Sequence, residues 1–118
     1  MSSTVRALAL IRDLFFRSKL DALAGRLGAT IVYASTLEAG AAQIAASPPD
    51  LVMVDLNDAN FPADRTVAVL RAAAPGLRVI GFASHVDLKA LKSARAAGFS
   101  ETLSRSEFTS RLPKLLGG

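Results

Sequence analysis

The sequence has no cysteine, no tryptophan and only one histidine in 118 residues. Without cysteine, disulfide bonds and thiolate metal sites are excluded. The single histidine, His85, leaves too few nitrogen ligands for a zinc site. The chain is nevertheless long enough to bury a hydrophobic core, so we expect residues 1–118 to form a single domain.

Long apolar runs are also missing. No run approaches the ~20 residues that a membrane-spanning helix needs. The opening segment, Met1–Thr4, does not begin the charged-then-apolar pattern of a signal peptide. We therefore expect a soluble, cytoplasmic protein with no membrane association.

The formal net charge of +4 raises nucleic acid as a partner. The basic residues, however, are spread over several segments of the chain, whereas a nucleic-acid surface usually shows a clustered basic stripe with aromatic residues. Solvated helix faces account for this distribution. We expect no specific nucleic-acid partner, and only weak, unspecific binding to duplex DNA.

Five short segments have the composition of β-strands. The central one is Leu51–Asn57, in which four apolar residues precede Asp55. Such a run is typical of a strand that is buried on both faces. The other predicted strands are Val5–Ile11, Ala29–Tyr33, Leu77–Ala83 and Glu101–Ser104.

Segments with helical periodicity separate these strands. The first helix is predicted to end at Gly28, where a left-handed residue is favourable. The second is predicted to begin with a capping box of Ser35 and Glu38, and the fourth with the same spacing at Ser84–Asp87. Pro113 predicts a break or kink near the end of the last helix. The apolar positions that define the helices are Phe16, Leu20, Leu23, Leu27, Leu37, Ala41, Ile44, Val67, Leu70, Ala74, Phe108, Leu112 and Leu115.

The alternation of strands and helices predicts an α/β fold with a doubly wound parallel sheet. Four of the predicted strands are followed by a polar or charged residue: Asp13, Asp55, Ser84 and Arg105. In a sheet of order 2-1-3-4-5 these four strand ends are consecutive. Carboxylates at such an edge can hold Mg²⁺, and a hydroxyl with a guanidinium can bind a phosphoryl group.

A purely structural interpretation exists for each of these residues. Asp55 can close a turn, Asp13 can cap the first helix and Ser84 can cap the fourth. Arg105 can be a solvated charge beside Glu107. The joint placement at four strand ends favours a common site over four separate structural roles.

This arrangement resembles the receiver domain of two-component response regulators, which has a flavodoxin/CheY-like fold with a five-stranded sheet of order 2-1-3-4-5. The run LVMVDLN matches the third strand of that family, GFAS matches the fourth, and the segment Ala96–Phe99 resembles the turn before the fifth. The resemblance implies that Asp55 accepts a phosphoryl group and that Ser84 and Arg105 contact it. It also implies Mg²⁺ held by Asp13, by Asp55 and by the backbone carbonyl of Asn57.

Four residues depart from the family pattern. Arg12 replaces the first of two acidic residues, a change of two charge units that should weaken Mg²⁺ binding. Its guanidinium could instead pair with Asp55 and lower the pKa of that carboxyl. Arg105 replaces a lysine, and Ser106 replaces the proline after it. Thr102 replaces the aromatic residue that reports phosphorylation, so the output route must differ.

Two functions follow from the resemblance. The first is a stand-alone receiver, without an output domain, that is phosphorylated on Asp55 by a sensor histidine kinase or a phosphotransfer protein. Its output would be a contact with a downstream protein through the fourth helix, fifth strand and fifth helix, and homodimerisation stays open. The second is a phosphorylation-independent pseudo-receiver that acts as a protein-interaction module. No catalytic pair or glycine-rich phosphate loop predicts an enzyme.

Overall fold

The computed structural model describes residues 4–117 and contains a parallel five-stranded sheet with helices on both faces. The strand order is β2-β1-β3-β4-β5, and every neighbouring pair is parallel. This confirms the predicted fold class and strand order. The elements are β1 (Arg6–Leu10), α1 (Leu14–Leu27), β2 (Thr30–Tyr33), α2 (Leu37–Ala46), β3 (Leu51–Asp55), α3 (Ala63–Ala73), β4 (Val79–Ala83), α4 (Leu88–Ala97), β5 (Glu101–Ser104) and α5 (Arg105–Gly117).

The central strands are apolar at successive positions because both of their faces are covered. Side chains alternate across a strand, so Ala7 and Ala9 face one side of β1 while Leu8 and Leu10 face the other. The first side packs against α1 and α5, and the second against α2, α3 and α4. None of the helices within residues 4–117 combines the length and hydropathy that a membrane-spanning segment requires.

The local signals at helix ends were partly correct. Gly28 and Gly98 end α1 and α4 with positive φ angles of 71° and 105°, a conformation that glycine adopts without strain. The two predicted capping residues were wrong by one and by three positions. Thr36, not Ser35, caps α2 by accepting from the backbone N–H of Ala39, and Asp87, not Ser84, caps α4.

Of the break or kink predicted at Pro113, the break is wrong, because α5 continues from Arg105 to Gly117, and the kink stays a prediction. Proline inside a helix costs about 3 kcal/mol. Leu112, Leu115 and Leu116 are buried on both sides of Pro113, and this burial holds the last turn in place.

The middle of β4 depends on a residue without a side chain. A Cβ atom on Gly81 would lie 2.7 Å from Leu56 Cδ1 and 2.9 Å from the ring of Phe99. Phe99 is buried and its ring cannot move aside easily. We expect Gly81→Ala to lower the free energy of unfolding by about 1–3 kcal/mol, measured by urea denaturation.

Gly76 provides the matched control, because a Cβ there would meet no atom within 4 Å. Gly76→Ala should change the free energy of unfolding by less than about 0.5 kcal/mol. Equal urea midpoints for the two variants would contradict the steric account of Gly81.

Candidate functional site

The polar residues predicted at the strand ends lie along the carboxyl edge of the sheet. Asp55 is the last residue of β3, and Ser84 follows β4. Arg105 is the first residue of α5, directly after β5, and Asp13 precedes α1. The order β1-β3-β4-β5 makes these four strand ends neighbours, as a 2-1-3-4-5 sheet requires.

Asp55 is the centre of the site. It is only 7% exposed, and Asp55 and Thr66 are the buried polar residues of the described chain. One carboxylate oxygen, Oδ1, accepts a hydrogen bond of 3.0 Å from the backbone N–H of Asn57. The other, Oδ2, lies 3.7 Å from a terminal nitrogen of Arg105. The carboxylate is therefore held by one donor and one counter-charge.

Arg105 reaches Asp55 because aromatic rings support its guanidinium. The guanidinium carbon lies 4.9 Å from the ring centroid of Phe16 and 5.3 Å from that of Phe82, within the range of a cation–π contact. Phe82 stacks in turn on Phe108, with centroids 4.2 Å apart. These rings belong to α1, β4 and α5, so the packing of three elements positions one side chain.

The interpretation of Arg105 as a solvated charge beside Glu107 is wrong. Glu107 instead forms a reciprocal capping pair with Ser104, in which each side chain accepts from the other residue's backbone N–H. These hydrogen bonds hold the pKa of Glu107 below its ordinary value. The Ser104–Glu107 spacing was a readable signal for the start of α5, and sequence analysis missed it.

Arg12 does not pair with Asp55, which corrects the sequence prediction. Its guanidinium lies 3.6 Å from Oδ1 of Asp58. The pKa of Asp55 is raised, not lowered, because burial outweighs the hydrogen bond from Asn57 and the attraction of Arg105. The negative charges of Asp58 and Asp13 raise this pKa further.

Asp58, in the loop that follows β3, is a further acidic member of the site beyond the four strand-end residues. Its side chain is 15% exposed and carries the ion pair with Arg12. Burial acts to raise the pKa of Asp58, but two hydrogen bonds from Asn60, each 2.9 Å long, and the Arg12 guanidinium outweigh it and lower the pKa. The Asp-x-Asn spacing of Asp58 and Asn60 is an Asx-turn signal that predicts an engaged carboxylate.

The side chain of Asn57 links two loops of the edge. Its Oδ1 accepts a 2.7 Å hydrogen bond from the backbone N–H of Ser84. Its Nδ2 donates a 2.8 Å hydrogen bond to Asp87, the residue that caps α4. Asn57 therefore fixes the segment after β4 relative to the end of β3. The Ser84 hydroxyl accepts from the backbone N–H of Val86 at 3.4 Å and lies beside this link.

Asp13 acts as the cap of α1, which confirms that structural role. Its Oδ1 accepts from the backbone N–H groups of Phe15 and Phe16 at 2.9 and 3.2 Å. Its role as a metal ligand stays a prediction.

The residues at this edge do not fit a divalent ion. Within residues 4–117 no three Asp, Glu or His side chains gather closely enough to hold a metal. Asp13 caps a helix, Asp58 is paired with Arg12, and Arg105 stands at Asp55. Mg²⁺ prefers several oxygen ligands in octahedral geometry. Two guanidiniums already supply the positive charge that such an ion would bring to the acids.

The pKa of Asp55 is raised and that of Asp58 is lowered, so their removal should change the free energy of unfolding in opposite directions. Folding favours protonated Asp55, so the stability linked to this group is present below its ordinary pKa of 3.8 and is lost as the pH rises through the raised pKa. Asp55→Asn should therefore raise the free energy of unfolding at pH 7. The gain should vanish below about pH 3, as measured by urea denaturation across this range.

Asp58→Asn is the matched variant of opposite sign. The pKa of Asp58 is lowered, so its contribution to stability is present above the ordinary value of 3.8 and is lost as the pH falls through the lowered pKa. The substitution should destabilise the protein at pH 7. Shifts of the same sign for both variants at pH 7 would contradict this account.

Because Arg12 is paired with Asp58, replacing Arg12 by an acid should create a Mg²⁺ site. Arg12→Asp removes the guanidinium from Asp58 and adds a carboxylate, so Mg²⁺ affinity in isothermal titration calorimetry should rise about tenfold or more. Arg65→Asp is the control, since Arg65 forms a comparable exposed pair with Glu38 at 3.5 Å. Equal Mg²⁺ affinity in the two variants would exclude Arg12 as the cause.

Comparisons with known proteins identify the fold. No protein-family model matches the sequence, and no curated protein is significantly similar to it. Among solved structures, a putative response regulator from Chloroflexus aurantiacus aligns with 98% of this chain and 100% of its own, with a TM-score of 0.80 and 17% identity. A response regulator in red light signaling of R. palustris aligns with 94% of this chain and 90% of its own, with a TM-score of 0.74 and 19% identity.

A third similar structure is the receiver domain of a sensor histidine kinase from Pseudomonas aeruginosa, with a magnesium ion coordinated in its active site cleft. It covers 98% of this chain and 100% of its own, with a TM-score of 0.76 and 13% identity. At such identities the likeness shows the fold alone. This chain therefore has the flavodoxin/CheY-like fold of response regulator receiver domains.

Proposed function

We propose that the chain is a receiver-fold signalling module that binds partner proteins in the cytoplasm without phosphorylation of Asp55. The observation that carries the proposal is the ion pair of 3.7 Å between Arg105 and Asp55, whose side chain is only 11% exposed. The acid that a phosphoryl donor would have to reach is covered and already neutralised by a side chain of the same protein.

The charge balance of the edge supports this proposal. Phosphoryl transfer relies on metal ions to neutralise the charge that develops on the phosphoryl oxygens. Here the two cations nearest the acids are fixed guanidiniums, Arg105 at Asp55 and Arg12 at Asp58. A guanidinium keeps its charge at any physiological pH. The positive charge at both acids is therefore permanent and independent of a bound metal, which suits a constitutive interaction module.

Thr102 supports a changed output. It accepts a hydrogen bond of 3.2 Å from Arg95 of α4. A small polar side chain that is tied to the neighbouring helix cannot make the large inward movement of an aromatic ring. We therefore expect no phosphorylation signal to pass through this position.

A second candidate is a phospho-accepting receiver, and the position of Asp55 favours it. Asp55 ends β3 beside Ser84 and Arg105, the residues proposed to contact the phosphoryl oxygens. The P. aeruginosa receiver domain of the same fold holds magnesium in its cleft. In this case a sensor histidine kinase or phosphotransfer protein would be the partner, and Mg²⁺ would have to bind in spite of the guanidiniums at Asp55 and Asp58.

Intact-protein mass spectrometry separates the two candidates. The wild type, Asp55→Asn and Arg12→Asp are incubated with acetyl phosphate and MgCl₂. We expect no phosphoryl adduct on the wild type, because Arg105 and Arg12 neutralise the acids and because the acidic side chains within residues 4–117 form no cluster that would hold a metal. An adduct on Arg12→Asp alone would assign the block to that guanidinium.

A phosphoryl adduct on the wild type that is lost in Asp55→Asn would overturn the proposal. It would establish Asp55 as a phospho-acceptor and leave Arg12 as a residue that tunes the reaction.

A further inference from the structure

Large apolar side chains are exposed at the carboxyl edge of the sheet. Leu14 and Phe15 are 74% and 85% exposed, and Val86 and Leu88 are 76% and 71% exposed. These are four of the five exposed large hydrophobic residues within the described chain, and the fifth, Leu27, is only 37% exposed. Concentrated exposure of this kind marks an interaction surface more often than scattered single residues do.

The topology places these residues on both sides of the candidate site. Leu14 and Phe15 form the first turn of α1, directly after β1. Val86 and Leu88 flank Asp87 at the start of α4, after β4. Because β3 lies between β1 and β4, Asp55 lies between the two apolar pairs, Leu14–Phe15 and Val86–Leu88.

These side chains are not needed for the core. The buried face of α1 is formed by Phe16, Leu20 and Ala24, and α4 contributes Ala94. Leu14 and Phe15 lie outside the buried face of α1, and Val86 lies in the loop before α4. Their apolar surface is therefore available to a partner.

Two guanidinium groups are accessible to a partner between the apolar pairs. The side chains of Arg12 and Arg105 are 48% and 39% exposed, whereas their partners Asp58 and Asp55 are 15% and 11% exposed. The separations of 3.6 and 3.7 Å are longer than hydrogen bonds, so both guanidiniums keep donors for another acceptor.

The remaining acids of the edge are engaged by donors of this chain. Asp13 accepts from two backbone N–H groups of α1. Asp87 accepts from the backbone N–H of Ala90 and from Asn57. An incoming carboxylate would therefore meet available guanidinium donors between two apolar surfaces.

We propose that this edge docks an acidic amphipathic segment of a partner protein. Its apolar side chains cover Leu14–Phe15 and Val86–Leu88, and a carboxylate between them contacts Arg12 and Arg105. The proposal rests on the proposed function, since the partner binds unphosphorylated chain.

The test selects peptides from a phage-displayed library of random helical peptides on the unmodified wild-type protein. We expect the enriched peptides to carry Asp or Glu between apolar residues. Replacing that carboxylate with the amide should weaken binding about tenfold in fluorescence anisotropy. Arg12→Gln should reduce this difference between acid and amide peptides.

The apolar pairs are tested with Leu14→Ser/Phe15→Ser and Val86→Ser/Leu88→Ser. Each double variant should weaken the selected peptide about tenfold or more, because it removes two exposed anchors. Leu27→Ser is the matched control at the opposite end of α1 and should bind as the wild type does. Unchanged thermal unfolding and circular dichroism would establish that the variants are folded.

Three results would overturn the proposal: enrichment of basic peptides, peptides insensitive to both double variants, or no enrichment at all. Self-association in sedimentation velocity that both double variants abolish would assign the edge to a second copy instead. The peptide-binding result can be interpreted independently of the proposed function. A phosphoryl adduct on the wild type would overturn that function, but it would not change the measured binding of peptides to the unmodified protein.

Discussion

The site depends on the contact of the Arg105 guanidinium with two phenylalanine rings and one buried carboxylate. Phe16 and Phe82 hold the guanidinium at 4.9 and 5.3 Å, and Asp55 lies 3.7 Å from its terminal nitrogen. The rings come from α1 and β4, the acid from β3 and the cation from α5. A movement of any of these elements would leave a carboxylate buried without its counter-charge, which is energetically costly. Asp55 and Arg105 are therefore held in place by the packing of the core.

The same edge shows how environment separates two aspartates of similar sequence context. Asp55 is covered and supported by one backbone donor, so burial raises its pKa. Asp58 has two hydrogen bonds from Asn60 and the Arg12 guanidinium, which together lower its pKa in spite of burial. The distribution of the two arginines between the two acids makes the edge self-neutralising. This neutralisation is the physical basis of the proposal that the edge binds proteins without phosphoryl transfer.

A self-neutralised site with exposed apolar flanks is suited to a contact with another protein. Its accessible groups include two guanidiniums and the side chains of Leu14, Phe15, Val86 and Leu88. Asn57 fixes the loop that carries Val86 by bonding to Ser84 and Asp87. The proposed surface is therefore preorganised, which lowers the entropy that binding would cost.

The sequence by itself determined the fold, because hydrophobic periodicity and glycine signals are local. The apolar runs of β1 and β3 required cover on both faces, and Gly28 ended the first helix as predicted. The sequence also identified the strand-end residues that the sheet brings together. Only the tertiary structure decided that Arg12 pairs with Asp58, that Thr36 caps α2 and that α5 continues past Pro113. Several carboxylates at one edge compete for the two arginines, and differences of a few ångströms in loop geometry decide which carboxylate each arginine pairs with. Those differences come from packing between elements far apart in the chain.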